Sequence, residues 1–162
     1  MESAQFVELL ERLGRTEQDN VTICYQSSVQ RFTGKTIKIA LAESTVQALD
    51  SLGNNIWFEI NPSRATGRAS LDDITQLAAV YIDIDYKDGG AGSVEKAKEL
   101  VELLSDLIGV GPSAVVYSGH GIQPYWAIDP EEDFEPLLAQ GLLNRWGAFA
   151  RFIAGSLGVQ LD

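Results

Sequence analysis

Apolar residues recur along the chain at two spacings, one typical of helices and the other of strands. A spacing of three to four residues predicts helices over residues 2–13, 42–52, 94–108 and 140–156. Alternating or continuous apolar runs predict strands over residues 21–25, 35–39, 55–60, 77–85, 113–117 and 122–128. Residues 129–132 have the composition of a helix start, and residues 158–162 that of another strand. The mixture of elements predicts an α+β fold.

One predicted strand carries two carboxylates on a single face. Asp83 and Asp85 are separated by one residue, so on a strand their side chains point the same way, while the alternate apolar residues point into a core. Two neighbouring carboxylates repel each other, and a divalent cation with a preference for oxygen ligands is the simplest means of stabilising them. The alternative is an edge strand with a solvated polar face. The apolar residues that precede the pair favour a buried, central strand and therefore a metal site.

A second candidate feature is the turn Ser118-Gly119-His120-Gly121, which follows a predicted strand and contains the only histidine in the chain. The glycines let a ligand approach the backbone closely, and a serine hydroxyl, a histidine and backbone amides together suit a phosphate group. If the strand continues, Ser118 and His120 share a face. A tight hairpin turn with an exposed histidine is the alternative. A catalytic Ser–His dyad is disfavoured, because two positions on one strand are poorly placed for proton transfer.

Residues 61–70 are the strongest candidate for a functional loop. They include a proline, a glycine and two arginines, Arg64 and Arg68, which could contact a ligand or could be solvated. The same segment is a candidate seam between an N-terminal lobe and the unit that carries the acids. Residues 32–36 end like a phosphate-binding P-loop, but the first glycine of that motif is replaced by Val29, so no P-loop is predicted.

Composition limits the classes of function. The 162 residues, 45% of them hydrophobic, suffice for one domain with a core. Cys24 is the only cysteine, which excludes an internal disulfide and a cysteine-cluster zinc site and suits a reducing cytoplasm. No apolar run approaches the length of a membrane span and no signal peptide is visible, so no membrane partner is expected. The net charge of −11 predicts weak affinity for nucleic acid.

Three motifs in order resemble those of the archaeo-eukaryotic primase superfamily, and most of all the primase-polymerase domains of phage and plasmid replication proteins. That family has an acidic pair on a strand, a small residue–x–histidine motif, and a final aspartate after an apolar residue. The corresponding residues here are Asp83 and Asp85, Ser118-Gly119-His120, and Leu161-Asp162. The resemblance runs from about residue 56 to the end of the chain, since residues 57–62 and 67–68 also resemble the segment that precedes the acids.

The resemblance implies roles for individual residues. Asp83, Asp85 and Asp162 would hold two divalent ions, Mg²⁺ or Mn²⁺, one of which would activate a 3′-hydroxyl while the other steadies the triphosphate and the leaving pyrophosphate. His120 would join these aspartates in the catalytic site and contact the nucleotide phosphates together with Ser118. Further triphosphate contacts are expected from Arg64 and Arg68, whereas Tyr125 and Trp126 are expected to pack the hairpin rather than stack on bases.

The resemblance also implies an architecture and a setting. An N-terminal α/β lobe would pack on an RRM-like lobe, with the active site in the cleft between them and the helix of residues 94–108 behind the carboxylates. The template would be single-stranded DNA and the substrates NTPs or dNTPs. A helicase domain is expected in the same chain or a partner chain, in the cytoplasm of a bacterial host or phage-infected cell. Residues 1–162 would form a primase-polymerase domain truncated at its C-terminus.

Other functions stay open at this point. The leading hypothesis is a metal-dependent nucleotidyltransferase that starts and extends strands on single-stranded DNA. The main alternative is a nucleotide- or metal-binding module of a replication protein without catalysis. A structural acidic interaction domain would explain the charge but not the Ser-Gly-His-Gly turn. Nucleotide cyclases share an RRM-like palm, and the histidine motif is what separates them from the leading hypothesis.

Overall fold

The computed structural model describes residues 3–27, 31–87, 89–130 and 134–161. The α-helices within these ranges are α1 (Ser3–Arg12), α2 (Ala42–Ser51), α3 (Val94–Ile108) and α4 (Pro136–Ser156). The strands are β1 (Asn20–Gln26), β2 (Thr33–Lys38), β3 (Asn55–Phe58), β4 (Ala79–Tyr81), β5 (Ile84–Asp85), β6 (Ala114–Tyr117) and β7 (Gly121–Ala127). They form two antiparallel sheets, which confirms the predicted α+β class. Among the described residues, no helix combines the length and apolarity needed to cross a membrane.

The chain divides into two compact units. The first contains the residues up to Ala78 together with Ile128–Pro136, and the second contains Ala79–Ala127 and the residues from Leu137 onward. Residues 61–70, the candidate seam, lie inside the first unit. The arrangement of two lobes around a catalytic cleft stays a prediction.

The first unit is built on a three-stranded sheet with the order β2-β1-β3. Its core is made by apolar residues of α1, the sheet and the start of α2, namely Phe6, Leu10, Val21, Ile23, Ile39 and Ala42. Helix α1 contacts α2, and the chain reverses after each helix at a glycine with a left-handed backbone, Gly14 with φ 77° and Gly53 with φ 70°. The predicted elements of residues 2–13, 21–25 and 42–52 are confirmed within the described ranges.

The second unit is built on a sheet in which β7 is central. Strands β4 and β5 pair with one side of β7, and β6 pairs with the other side. Strands β4 and β5 pair with β7 in the same register, so Ile82, which lies between them, is opposite Pro124. Proline has no N–H to donate, and the backbone pairing is interrupted at this point. The acidic segment is therefore one strand in two pieces, broken next to Asp83.

The acid-bearing strand is an edge strand and not the central strand predicted from its apolar flank. Within the described residues β4 and β5 pair with β7 alone. The prediction was wrong because an apolar run can also occur on an edge strand whose inner face is buried. Val80, Ile82 and Ile84 are buried on that inner face, as expected from the alternation.

Helix α3 has the bounds that its apolar stripe predicts. The Ser93 side chain accepts a hydrogen bond from the Lys96 N–H at the start, and Gly109 ends the helix with φ 79°. Its buried side chains are Ala97, Leu100, Val101 and Leu104. The helix contacts β7, which supports its predicted place behind the sheet.

Two predictions near the end of the chain were wrong. The helix start predicted at residues 129–132 is not seen, since residues 128–130 and 134–135 are not helical and residues 131–133 lie outside the described ranges. The separate helix predicted over residues 140–156 is confirmed as α4, which begins earlier, at Pro136. Pro136 itself takes the first helical position, where its missing N–H costs no hydrogen bond. Residues 159–161, expected as a strand, do not pair as one. Instead the Gln160 N–H donates to the carbonyl of Gly89 over 3.2 Å.

Candidate functional site

The carboxylate-bearing strand presents both acids on the same face. Asp83 is exposed and Asp85 is half-buried, while the alternate residues Ile82 and Ile84 are buried. The cross-strand partner of Asp85 is Gly121 of the central strand β7. Because glycine has no side chain, nothing at that position covers the Asp85 carboxylate from the neighbouring strand.

The two motifs that the sequence singled out lie next to each other. The Tyr86 N–H, directly after Asp85, donates to the carbonyl of His120 over 2.8 Å. Asp85 and Gly121 are paired in the ladder, so the turn containing His120 begins where the acidic strand ends. A sheet hairpin therefore brings together the carboxylates and the histidine turn, which are more than thirty residues apart in the chain.

Two glycines allow the backbone to pack closely around Asp85. A Cβ at Gly90 would lie 3.2 Å from the Cβ of Asp85 and closer still to its carbonyl oxygen. A Cβ at Gly121 would lie 3.1 Å from the Asp85 Cα and would contact the Ile84 carbonyl oxygen even more closely. The loop after the strand is also tied back, since the Ala91 N–H donates to the Asp85 carbonyl over 2.8 Å. Asp85 is thus held by fixed backbone.

Ser118 and His120 do not share a strand face, because β6 ends at Tyr117 and both residues lie in the turn. The Ser118 hydroxyl donates to the Gly121 carbonyl and accepts from the His120 N–H, each over 3.3 Å. Gly119 has φ 86°, which glycine adopts readily. The condition for a shared face, a strand that continues to His120, is therefore not met. The Ser118 hydroxyl closes the turn, and the exposed His120 side chain is left as the group that a ligand could meet.

The Asp85 carboxylate has a neighbouring cation in this structure. Its Oδ2 lies 2.5 Å from the Nζ of Lys87, whose side chain is mostly exposed. Exposed ion pairs of this kind contribute little to stability, typically less than about 1 kcal/mol. A metal ion that binds Asp85 through Oδ2 would compete with Lys87 for that oxygen.

Aromatic and amide groups surround Asp83 on the same face. Tyr125 is buried, stacks on Tyr81 with ring centroids 5.3 Å apart, and donates from its hydroxyl to Gln123 Oε1 over 3.1 Å. Burial raises the pKa of Tyr125 well above its usual range, and the neighbouring Tyr81 and Asp83 raise it further. A neutral phenol beside Asp83 adds no negative charge to the acidic face.

Tyr125 and Trp126 pack the hairpin, as predicted. Both are buried, and the Trp126 Nε1–H donates to the carbonyl of Val110 over 3.1 Å. The Trp126 ring also meets Trp146 of α4 edge to face at 5.0 Å. Neither ring is available to stack on a nucleobase.

The third predicted ligand, Asp162, lies outside the described residues. The described residues contain no group of three metal-ligating side chains close enough to hold an ion. Asp83 and Asp85 supply two carboxylates on one face, and carboxylate oxygens are the ligands that Mg²⁺ and Mn²⁺ prefer. They are two of the three predicted metal ligands. The bond from Gln160 to Gly89 places residue 160 beside the loop that follows Asp85.

The two arginines of residues 61–70 lie in the first unit and differ in their contacts. The Arg64 side chain donates to the Asp72 carbonyl over 2.6 Å and its backbone N–H to the Asp73 carbonyl over 3.0 Å, so Arg64 holds the loop together. Arg68 instead lies 5.7 Å above the ring of Phe32 and borders a cavity of about 560 Å³.

Several residues around this cavity were not singled out from the sequence. Glu59 and Cys24 border it, together with the aromatic rings of Phe32 and Trp57. The alternation of Trp57 and Glu59 on one strand face was a usable signal. Phe32 lies in a polar segment that follows β1, and nothing in that segment of the sequence indicated a role in a cavity.

Comparison with known proteins adds no relative. No protein-family model, no curated protein and no solved structure matches the chain.

Proposed function

We propose that this protein is a metal-dependent nucleotidyltransferase that synthesises and extends primers on single-stranded DNA. The observation that carries the proposal is the convergence of Asp83 and Asp85 with the His120 turn, through the pairing of Asp85 with Gly121 and the Tyr86–His120 hydrogen bond. A carboxylate pair and an exposed histidine at one site suit a substrate that brings both metal ions and phosphates. The resemblance to primase-polymerase domains supports the same reaction.

The topology of the second unit supports the RRM-like arrangement expected of such domains. Its first strand, in the pieces β4 and β5, is followed by α3, then β6, β7 and α4, and the third strand in sequence lies between the other two. This is the strand order of a split βαβ unit, in which one face of the sheet is covered by helices and the other is left for ligands. The carboxylates lie on the face opposite the buried apolar residues.

Each residue would contribute a distinct part of the reaction. A 3′-hydroxyl oxygen bonds to the α-phosphorus of a nucleoside triphosphate, the bond to pyrophosphate breaks, and the hydroxyl proton passes to solvent. Ions held by Asp83, Asp85 and Asp162 would supply charge neutralisation at the attacking and leaving oxygens. His120 would bind the phosphates, and Ser118 would fix the turn that presents it. Of the two arginines expected to bind phosphate, Arg64 is engaged in its own loop, and Arg68 borders the cavity of the first unit.

The test is synthesis on primer-free single-stranded DNA with labelled nucleotides and Mn²⁺ or Mg²⁺. It compares the wild-type chain and a version extended at its C-terminus, each with and without Asp83→Ala. Asp50→Ala, at an exposed position on α2, is the matched control. Product that disappears in Asp83→Ala and persists in Asp50→Ala is the expected result. Product that survives Asp83→Ala would contradict the proposal.

A nucleotide- or metal-binding module without catalysis is the second candidate. The ion pair between Lys87 and Asp85 favours it, since the ammonium already neutralises one carboxylate that a catalytic ion would use. Bound nucleotide without product, in both the wild-type and the extended chain, would favour this module over the enzyme.

A further inference from the structure

The cavity of the first unit lies on the sheet face opposite the apolar core. Residues 65–67 cover this face and are held by two threonine hydroxyls. Thr22 donates to the carbonyl of Gly67 and Thr36 to that of Ala65, each over 3.3 Å, and the two hydroxyls lie 2.9 Å apart. Gly34 allows the close approach, because a Cβ there would lie 3.0 Å from the Arg68 nitrogen. The cavity is therefore formed by ordered parts of the fold.

Two exposed aromatic rings line the cavity. Phe32 and Trp57 have ring centroids 5.4 Å apart, and 43% and 46% of their surfaces are exposed. The two rings are tilted by 48° to each other and stay open to solvent, so each ring offers its own apolar face for stacking. The Arg68 guanidinium, 5.7 Å above the Phe32 ring, adds a positive charge at the same place. A ligand with a flat ring and a negative group would match both features.

Glu59 adds an unsatisfied acceptor to the cavity lining. Its Oε2 accepts from the Ser63 hydroxyl over 3.1 Å, whereas its Oε1 is buried and has no hydrogen-bond partner within the described residues. Leaving a buried acceptor unpaired is costly, so a rotation of the Glu59 side chain that brings Oε1 to the cavity would be favoured by a ligand N–H that pairs with it. Cys24, which also borders the cavity, adds little negative charge, because burial and the Glu59 charge raise the pKa of its thiol.

We propose that this cavity binds an unpaired guanine base of single-stranded DNA. The base stacks on Trp57 and contacts the side of the cavity formed by Phe32, its N–H donors face Glu59, and its backbone phosphate pairs with Arg68. Guanine is favoured because it presents two adjacent donors on one edge, the ring N–H and the amino group, while the other bases present one such group. A volume of about 560 Å³ accommodates a nucleotide.

The proposal rests on the proposed function, since it supplies that reaction with a template contact. It is also compatible with the net charge of −11, which gives phosphate little general attraction. Stacking on aromatic rings depends less on basic surface, so one pocket with a single arginine can hold a strand on an acidic protein.

The test is the affinity of the full chain, without divalent ions, for labelled oligo(dT), oligo(dT) with one central dG, and the same strand with an abasic site. The central dG is expected to tighten binding. Trp57→Leu is expected to weaken it by about five- to a hundredfold, the range of one base stack. Glu59→Gln is expected to remove the preference for dG while binding of oligo(dT) persists. Arg68→Gln is expected to weaken all three strands.

The controls replace an exposed aromatic, acidic or basic residue elsewhere by leucine or glutamine, as the test variants do. They are Phe152→Leu, Glu11→Gln and Arg145→Gln, each expected to bind as the wild type does. Competition by dGMP separates a pocket for a strand from one for a free nucleotide: a strand pocket prefers the oligonucleotide, and equal affinity for dGMP would overturn the template assignment. Circular dichroism confirms that each variant is folded. If Trp57→Leu does not fold, Phe32→Leu replaces it.

Three results would overturn the inference: equal affinity for dGMP and the oligonucleotide, wild-type affinity in folded Trp57→Leu, or a dG preference that survives Glu59→Gln. If any of these results is found while primer synthesis still depends on Asp83, the proposed function stands and only the guanine pocket is refuted. If no Asp83-dependent synthesis is found but binding still prefers dG, the proposed enzyme activity is refuted and the guanine pocket stands.

Discussion

The two sheets differ in what lies on the face away from their apolar cores. In the first sheet, the hydroxyls of Thr22 and Thr36 hold a covering segment, which leaves a cavity lined by aromatic rings. In the second sheet, the corresponding face presents Asp83 and Asp85 beside an exposed histidine turn. One face suits a flat ring and the other suits cations and phosphates. The contrast shows how antiparallel sheets with similar apolar faces acquire different chemistry from their alternate residues.

The backbone around Asp85 is the part of the second sheet most sensitive to substitution. In Gly90→Ala the new methyl group would collide with the Asp85 carbonyl, so we expect a loss of about 2–3 kcal/mol in unfolding free energy, as for an overpacked core. Urea denaturation measures the loss. Gly111→Ala is the control, because a Cβ at Gly111 would have no neighbour within 4 Å. Equal stability of the two variants would contradict the close packing of Gly90 against the Asp85 backbone.

The corresponding change in the first sheet is smaller. Thr22→Val keeps the shape of a buried residue and removes the hydroxyl that bonds to Thr36 and Gly67. We expect a loss of about 1–2 kcal/mol and faster amide exchange at Gly67 and Arg68, since the covering segment loses a hydrogen bond. Thr33→Val, which removes an exposed hydroxyl bonded to the Arg31 carbonyl, is the control. Unaltered exchange in Thr22→Val would mean that the segment is held by other contacts.

Cys24 reports on the electrostatics of the cavity. Burial is the main cause that raises the pKa of this thiol, the Glu59 charge raises it further, and the Arg68 charge lowers it. Alkylation by iodoacetamide at pH 8 should therefore be slower than for a free cysteine, because the thiolate is the reactive form. Glu59→Gln should accelerate it severalfold and Arg68→Gln should slow it. Changes of the same sign in both variants would contradict the arrangement of charges around Cys24.

The smallest expected effect concerns the capping box before the second sheet. The Ser70 hydroxyl and backbone N–H both donate to Asp73 Oδ2, and these bonds hold the pKa of Asp73 below its usual range. A lowered pKa means that the contribution to stability is present above about pH 4 and is lost as the pH falls through the lower value in the folded protein. Between about pH 2 and pH 5, the free energy of unfolding should depend less steeply on pH in Ser70→Ala than in the wild type. An unchanged slope would exclude this contribution.

Local signals predicted the elements better than the pairing between them. Helix α3 follows from its apolar stripe, Ser93 and Gly109, all of which act within a few residues. The partner of the acidic strand depends on contacts far along the chain, so its edge position did not follow from its composition. The break before Asp83 depends on Pro124, whose missing N–H matters only once the register is known.

The candidate site was predictable in part. Alternation placed Asp83 and Asp85 on one face, and the structure agrees. The neighbouring His120 turn was expected from the resemblance alone, since no local pattern links the two segments. The cavity of the first unit escaped prediction because its lining comes from separate segments of the chain, and because the buried oxygen of Glu59 is distinctive only when its partners are known.

The central claim is that the face with Asp83 carries out the reaction and the face with Trp57 binds the template. The most direct test is steady-state primer synthesis on a dG-containing template, in which Asp83→Asn and Trp57→Leu are each compared with the wild type. We predict that Asp83→Asn lowers kcat about a thousandfold or more, since several kcal/mol of transition-state stabilisation are lost, without weakening template binding. Trp57→Leu should raise the template KM and leave kcat close to that of the wild type. Synthesis by Asp83→Asn at the wild-type rate would contradict the account.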